Sequence, residues 1–380
     1  MTDDPLWQMM DEFEQAFPSI WAKTWIIDPR VEEDWKAADQ WVRERLRQSG
    51  MAERDIQSKS NNLFVNLRTR SPQFFGAGKH LNGVIAGVIV PVVSKRSWAE
   101  RIPDAMTYMD QQKWSVPELE PFENLSRQYA VYTFDHETAH AVFHELPQAD
   151  RPSARGFERY TLTKQQDETF ADMAGGLGLV RHFDAEEAID MIRRISHMRA
   201  ISAINHRDTE HLTTRGLKRA LTAIANPTDQ VIRWQQDGMD GAKALAKDVH
   251  IYALSKQQQQ AISEVFRQTV PGDTFSPERA LETFSTIGGE TKKSTVYELM
   301  RDYIDAIEAM VPADRYDAGQ MMRAKLKLRR NPIAKGVDEA HPRVETMVAE
   351  ARERVAIHKA KSLAANQLGG PPRDRAAPTL

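Results

Sequence analysis

Most of the chain carries the three- and four-residue spacing of apolar positions that predicts amphipathic helices. The first such stripe ends at Pro18 and is formed by Leu6, Met9, Met10, Phe13 and Phe17. A second predicted helix runs through Trp35 to Leu46 and stops at Gly50, a residue type that commonly ends helices. We therefore interpret residues 1–50 as a helical region whose side chains serve packing.

The spacing changes from helical to alternating between residues 61 and 94. Leu63, Val65 and Leu67 alternate with polar neighbours, which predicts a half-buried strand. The run from Val84 to Val90 is rich in β-branched residues and suits a strand buried on both faces. A small sheet is therefore expected within an otherwise helical chain.

The longest uninterrupted helical pattern lies near the middle of the chain. It contains neither Gly nor Pro between Phe122 and Leu146, and Pro147 ends it. His136 and His140 lie on the same stripe as Tyr132 and its apolar neighbours. Both imidazoles are therefore expected on the core-facing side of one helix.

The two histidines belong to a His-Glu-x-x-His sequence, His136 to His140. Imidazoles four residues apart project from the same face of a helix and can bind one metal ion. Neutral, buried imidazole is a ligand of zinc, with bonds of ~2.0–2.1 Å. Glu137 follows the first histidine and can take a proton from a zinc-bound water without binding the metal itself. Because the motif also arises by coincidence, the hypothesis needs a third ligand.

A third ligand is available on a second helix that the pattern predicts from Gln166 onward. Glu168 and Asp172 are four residues apart there and share a face. Glu168 can bind zinc, while Asp172 can accept the far N–H of a ligating histidine and so fix its tautomer. The glycines at 175, 176 and 178 are interpreted as sites of close packing between helices.

Together these motifs resemble the gluzincin clan of zinc metallopeptidases, which pairs His-Glu-x-x-His with Glu-x-x-x-Asp on a following helix. Position by position, the resemblance implies His136, His140 and Glu168 as the zinc ligands. It also implies Glu137 as the general base and Asp172 as the residue that orients a ligand. A peptide or protein would be the substrate, held in extended form along the edge of an upstream sheet.

The resemblance extends from about Leu125 to Val180. Zinc peptidases of this kind also need a donor that steadies the oxyanion of the tetrahedral intermediate. His211 is our candidate, with Tyr160 and His206 as alternatives, although a surface histidine beside a helix cap explains His211 equally well. His144 lies one turn beyond His140 and is interpreted as a bystander on the cleft wall.

The second half of the chain predicts further helices without an obvious catalytic constellation. Four or more are expected between Arg215 and Met310, with one of the breaks at Gly238 to Gly241. The basic stretch Arg323 to Arg330 could contact nucleic acid or an acidic partner, but a solvated helix face balanced by the acidic residues of 302–317 is favoured. A charged helix from Pro342 to about Leu368 precedes a tail that we expect to be disordered.

Length and composition set the broad class. The chain has 380 residues, 41% of them hydrophobic and 28% charged, which predicts a soluble globular protein with two or three subdomains. We divide it into residues 1–50, a core at 51–214, a helical subdomain at 215–345 and a charged end at 346–380. The net charge of −3 is too small to indicate a polyanionic partner such as nucleic acid.

The absence of cysteine excludes disulfides and thiolate metal sites. The first residues lack the basic and apolar regions of a secretory signal, and no apolar run reaches the ~18 residues of a membrane span. We therefore expect a cytoplasmic protein with no membrane partner, unless a signal-independent secretion system exports it.

The expected fold is α+β and predominantly α-helical, with a zincin-like metallopeptidase core, a small sheet and an additional helical subdomain. The expected function is hydrolysis of peptide bonds by a Zn²⁺-dependent peptidase. One alternative is a structural or vestigial zinc site in a protein-binding module, either an intracellular regulator or an exported effector. Another is hydrolysis of an amide that is not a peptide.

Overall fold

The computed structural model is predominantly helical and contains one small sheet. Its long helices pack against one another, most extensively in a pair near the middle of the chain. The residues that the structure describes are 5–26, 32–48, 50–58, 60–61, 74–77, 86–89, 122–146, 157–205, 207–226, 229–268, 290–311, 313–315 and 317–368.

The N-terminal region is helical apart from one short strand. Helix α1 spans Pro5–Ala16, α2 spans Pro18–Trp21 and α3 spans Glu32–Gln48. Pro18 opens α2, where its missing N–H costs nothing because the first helical N–H groups have no partner within the helix. The two predicted helices of this region are confirmed.

Three short strands form one sheet in the order β1-β3-β2. Strand β1 is Thr24–Ile26, β2 is Phe74–Ala77 and β3 is Ala86–Ile89. Strand β3 pairs in parallel with β1 and antiparallel with β2. The strand predicted at Val84 to Val90 is thus found in the middle of the sheet, and the one predicted at 63–67 lies outside the described residues.

Strand β1 interrupts a region that the pattern predicted to be helical throughout. Three residues are too few to show an alternating pattern, so only their pairing with β3 reveals them as a strand.

Four helices surround the candidate chemistry. They are α4 (Phe122–Glu145), α5 (Phe157–His182), α6 (Ala185–Asn205) and α7 (Thr214–Ile224). Helix α5 begins nine residues before the predicted start at Gln166. Asp184 caps α6 as predicted, since its Oδ1 accepts the backbone N–H groups of Glu186 and Glu187 at 2.9 and 3.0 Å.

The remaining helices run to the end of the described chain: α8 (Gly238–Tyr252), α9 (Lys256–Gln268), α10 (Glu290–Met310), α11 (Ala318–Arg329), α12 (Ala334–Ala340) and α13 (Val344–Leu368). The break predicted at Gly238 to Gly241 is wrong, because these residues form the first turn of α8. The predicted tail after Leu368 lies outside the described residues.

Helices α4 and α5 pack against each other along much of their lengths. All residues from Val131 to Phe143 are buried, so this part of α4 is enclosed on every side. Glycines on α5 allow the close approach: a Cβ at Gly175 would lie 2.7 Å from Tyr132, and one at Gly178 would lie 1.8 Å from Asp135 Oδ2. The predicted packing role of these glycines is confirmed.

Buried ion pairs fasten α7 to α10. Arg215 donates to Glu298 at 3.0 Å, and Lys218 donates to Asp302 at 2.9 Å.

Buried apolar side chains from Met9 to Ala351 form one continuous core among the described residues. The proposed division of the chain into subdomains stays a prediction.

The basic stretch Arg323 to Arg330 lies on α11 and its C-cap. Lys325 of this stretch forms an ion pair with Glu308, one of the acidic residues of 302–317.

Within the described ranges, no helix combines the length and hydropathy needed to cross a bilayer.

We predict that Gly178→Ala destabilises the protein. The added methyl group would overlap Asp135, which is fully buried and bonded to Arg181 at 2.7 Å, so α4 and α5 must separate. The free energy of unfolding should fall by about 2 kcal/mol or more in chemical denaturation. Gly336→Ala on α12 is the matched control, since a Cβ at that residue would have nothing within 4 Å. Equal stability of the two variants would contradict the packing argument.

Candidate metal centre

The packing of α4 on α5 brings three ligand atoms together. Nε2 of His136 lies 3.2 Å from Nε2 of His140. Oε2 of Glu168 lies 3.6 Å from the first of these nitrogens and 3.8 Å from the second. Two atoms therefore come from consecutive turns of α4 and the third from the facing side of α5.

This triangle fits a tetrahedral zinc ion. Bonds of ~2.1 Å at tetrahedral angles separate ligand atoms by ~3.4 Å, and the observed separations bracket that value. The three side chains are buried, as structural and catalytic metal ligands generally are. Glu137 is also buried, and one of its oxygens lies within 4.8 Å of ligand atoms of both histidines.

Each histidine turns its other ring nitrogen toward a carboxylate on α5. Nδ1 of His136 lies 2.7 Å from Oδ1 of Asp172, and Nδ1 of His140 lies 2.7 Å from Oδ1 of Asp167. Such contacts favour the tautomer that leaves Nε2 free for a metal. Asp172 thus lies beside His136, and its role in orienting that ring stays a prediction.

Sequence reasoning missed Asp167. Neighbouring residues point about 100° apart on a helix, so the four-residue spacing that pairs Glu168 with Asp172 does not include Asp167, and only its adjacency to Glu168 could have drawn attention to it. Asp167 also lies 3.2 Å from Nε2 of His144 through its second oxygen. The predicted bystander His144 therefore contacts a residue that orients His140.

The carboxylates control the charge of the site. Burial lowers the pKa of His140, but Asp167 and Glu168 outweigh it and raise that pKa to about 9. Burial alone would raise the pKa of Asp172, yet Arg199 and His136 hold it well below its usual range. A metal ion binding at Nε2 of His140 must therefore displace a proton.

Asp172 is the most heavily bonded carboxylate of the site and is fully buried. Arg199 on α6 donates to its Oδ2 at 2.9 Å and to its Oδ1 at 2.8 Å. The hydroxyls of Tyr132 and Thr213 also donate to it. The sequence pattern gave no sign of these donors, because they lie on three separate segments of the chain.

His211 approaches the centre from the segment between α6 and α7. Its Nε2 lies 3.5 Å from Oε1 of Glu168, and its Nδ1 contacts Asp208. Burial lowers the pKa of His211, but Asp208 and Glu168 outweigh it and the pKa is raised. Its side chain is 37% exposed, unlike the three proposed ligands.

For the two alternatives to His211, the structure describes at most the backbone. The backbone of Tyr160 lies in the first turn of α5, but its side chain is not described, and His206 is not described at all. The structure therefore brings His211 to the centre and leaves the other two candidates untested.

Comparison with known proteins adds no assignment: no family model, no curated protein and no solved structure matches this chain.

We predict that the purified wild-type protein contains about one zinc ion per chain and that Glu168→Ala contains much less. The substitution removes one of three ligands and leaves two imidazoles that cannot hold the ion as tightly. Elemental analysis of both proteins, purified side by side, measures the zinc content. Glu350→Ala, an exposed glutamate on α13, is the matched control and should keep the wild-type content. Equal zinc in Glu168→Ala and the wild type would remove Glu168 from the ligand set.

Proposed function

We propose that the chain is a zinc-dependent metallopeptidase. The observation that carries this proposal is the triangle of His136, His140 and Glu168 ligand atoms with Glu137 beside it. Three protein ligands leave one position of a tetrahedral ion open, as in catalytic zinc sites. A carboxylate next to an open position is the arrangement that hydrolysis of an amide requires.

We also propose that the surrounding fold is zincin-like. Strands β2 and β3 lie against α4, the helix that carries the two histidines. Among the described strands, β1 and β2 lie at the edges of the sheet, so the central strand β3 is not the one that would pair with an extended peptide. The sheet beside the histidine helix supports the proposal.

A bound zinc ion would lower the pKa of water and polarise the substrate carbonyl. Glu137 is the proposed general base, which accepts the proton of the attacking water and passes it to the leaving amine. Glu137 follows His136 on α4 and has an oxygen within 4.8 Å of the histidine ligand atoms, while Asp167 and Asp172 face the histidines from α5, which supports this role.

His211 is the proposed donor to the oxyanion. The contact with Asp208 holds one ring nitrogen, and the raised pKa favours a protonated ring whose Nε2 can donate a hydrogen bond. That nitrogen points toward Glu168, so a donor stands beside the metal ligands. A fixed donor at a developing negative oxygen stabilises the transition state more than the ground state.

A non-catalytic zinc protein is the second candidate. The burial of the three proposed ligands favours it, because a buried ion is shielded from substrate. All three proposed ligands lie in the interior, and His211 stands close enough to Glu168 to approach the ion as a fourth ligand. A four-ligand site would be closed to substrate and would serve structure or protein binding. Activity measurements separate the two candidates.

We predict that Glu137→Gln keeps its zinc but loses peptidase activity. Glutamine has nearly the same shape yet cannot accept the proton, so turnover should fall by ~10²- to 10⁴-fold. The assay is a digest of casein or of a peptide library with and without a chelator. His140→Ala is the comparison variant and should lose both zinc and activity. Undiminished activity of Glu137→Gln would refute the mechanism.

We predict that His211→Phe lowers kcat by ~10²- to 10³-fold, because it keeps the ring volume and removes the donor. The zinc content should remain that of the wild type, as measured by elemental analysis. His358→Gln, an exposed histidine on α13, serves as the control and should leave both quantities unchanged. Loss of zinc from His211→Phe would instead assign His211 as a ligand and favour the closed site.

A further inference from the structure

Thr213 occupies the N-cap position of α7 but does not cap the helix with its side chain. An N-cap threonine normally accepts a backbone N–H of the first turn, which is worth ~1 kcal/mol of stability. Here the hydroxyl donates to Oδ2 of Asp172 on α5. The Thr213 side chain is therefore turned away from the helix and toward the candidate metal centre.

We propose that Thr213 is a positioning residue that couples the His211 segment, residues 207–213, to the metal ligand His136 through Asp172. The inference rests on the proposed metal centre, although its test does not depend on peptidase activity. One carboxylate contacts Thr213 with one oxygen and faces His136 with the other. A change on one side of Asp172 is therefore transmitted to the other side.

The His211 segment begins with a strained residue. Arg207 has a φ of 54°, in the left-handed region that a non-glycine residue rarely adopts. Two backbone hydrogen bonds hold this turn to the end of α6. The N–H of Arg207 donates to the carbonyl of Ile204 at 3.1 Å, and the N–H of Asp208 donates to the carbonyl of Ala203 at 2.8 Å. These bonds fix the start of the segment but not its distance from α5.

Among the described residues, the segment meets α5 through two hydrogen bonds and one further polar contact. The amide of Gln165 donates to the carbonyl of Leu212 at 3.2 Å, the hydroxyl of Thr213 donates to Asp172, and Nε2 of His211 lies 3.5 Å from Glu168. The bond from Thr213 is the one of these that reaches the carboxylate facing His136. Thr213 is therefore a link through which the position of the segment and the orientation of His136 depend on each other.

The remaining donors should keep Asp172 in place when the threonine hydroxyl is removed. Arg199 contacts both of its oxygens, and Tyr132 donates to Oδ1. We therefore expect Thr213→Val to fold and to rotate the carboxylate, which loosens His136 on one side and the His211 segment on the other. Thr213→Ser keeps the hydroxyl and should restore both.

The test compares Thr213→Val with Thr213→Ser, wild type and Thr222→Val. Thr222 is the matched control, because its hydroxyl on the same helix donates only to the carbonyl of Lys218, at 3.1 Å. Competition with a chromogenic chelator measures the zinc dissociation constant. Carbethoxylation followed by mass spectrometry measures the accessibility of His211, with and without zinc and at one pH.

We expect Thr213→Val to weaken zinc binding by about tenfold or more, as loss of groups that orient ligands does. Labelling of His211 should increase in the same variant, while Thr213→Ser and Thr222→Val stay close to the wild type. If thermal denaturation shows that Thr213→Val is unfolded, Thr213→Ala replaces it. Equal effects of the Val and Ser substitutions would show a packing role and overturn the proposal.

Two further outcomes are decisive. A change in His211 labelling without a change in zinc affinity would refute the coupling. If the wild type binds no zinc, the proposed function fails, and so does the coupling to a metal ligand; labelling of His211 in the zinc-free variants then shows only whether Thr213 holds the segment.

Discussion

The carboxylate of Asp172 is the contact on which the arrangement of the centre depends. It accepts hydrogen bonds from the side chains of Tyr132 on α4, Arg199 on α6 and Thr213 at the start of α7. It also faces His136. A buried carboxylate with so many donors remains ionised, as its lowered pKa indicates. Four helices are thereby positioned around a single charge, which lies next to the proposed metal ligands.

The charge balance explains why such a centre suits a divalent cation. Glu137, Asp167, Glu168 and Asp172 are all buried within a short distance of the two histidines. Buried charges of one sign are costly unless cations compensate them. Arg199 compensates part of this charge, and the raised pKa of His140 shows a proton compensating another part. A dication at Nε2 can take the place of such protons.

Local sequence patterns predicted the helices, the His-Glu-x-x-His motif and the pair of Glu168 and Asp172. Each of these depends on residues spaced three or four apart within a single helix. The absence of Gly and Pro between Phe122 and Leu146 gave α4 its bounds to within a residue or two, and four-residue spacing paired Glu168 with Asp172. Arg199 and Thr213 could not be assigned this way, since their contacts with Asp172 join segments distant in sequence. Strand β1 was missed because only its pairing with β3 defines it.

The glycines of α5 have a consequence for the spacing of the candidate ligand atoms. The two imidazoles lie on α4 and Glu168 lies on α5, so the gap between these helices sets the distance from nitrogen to oxygen. Gly175 and Gly178 allow that gap to be small. The separation of two backbones therefore determines whether the oxygen of one helix can share an ion with the nitrogens of the other.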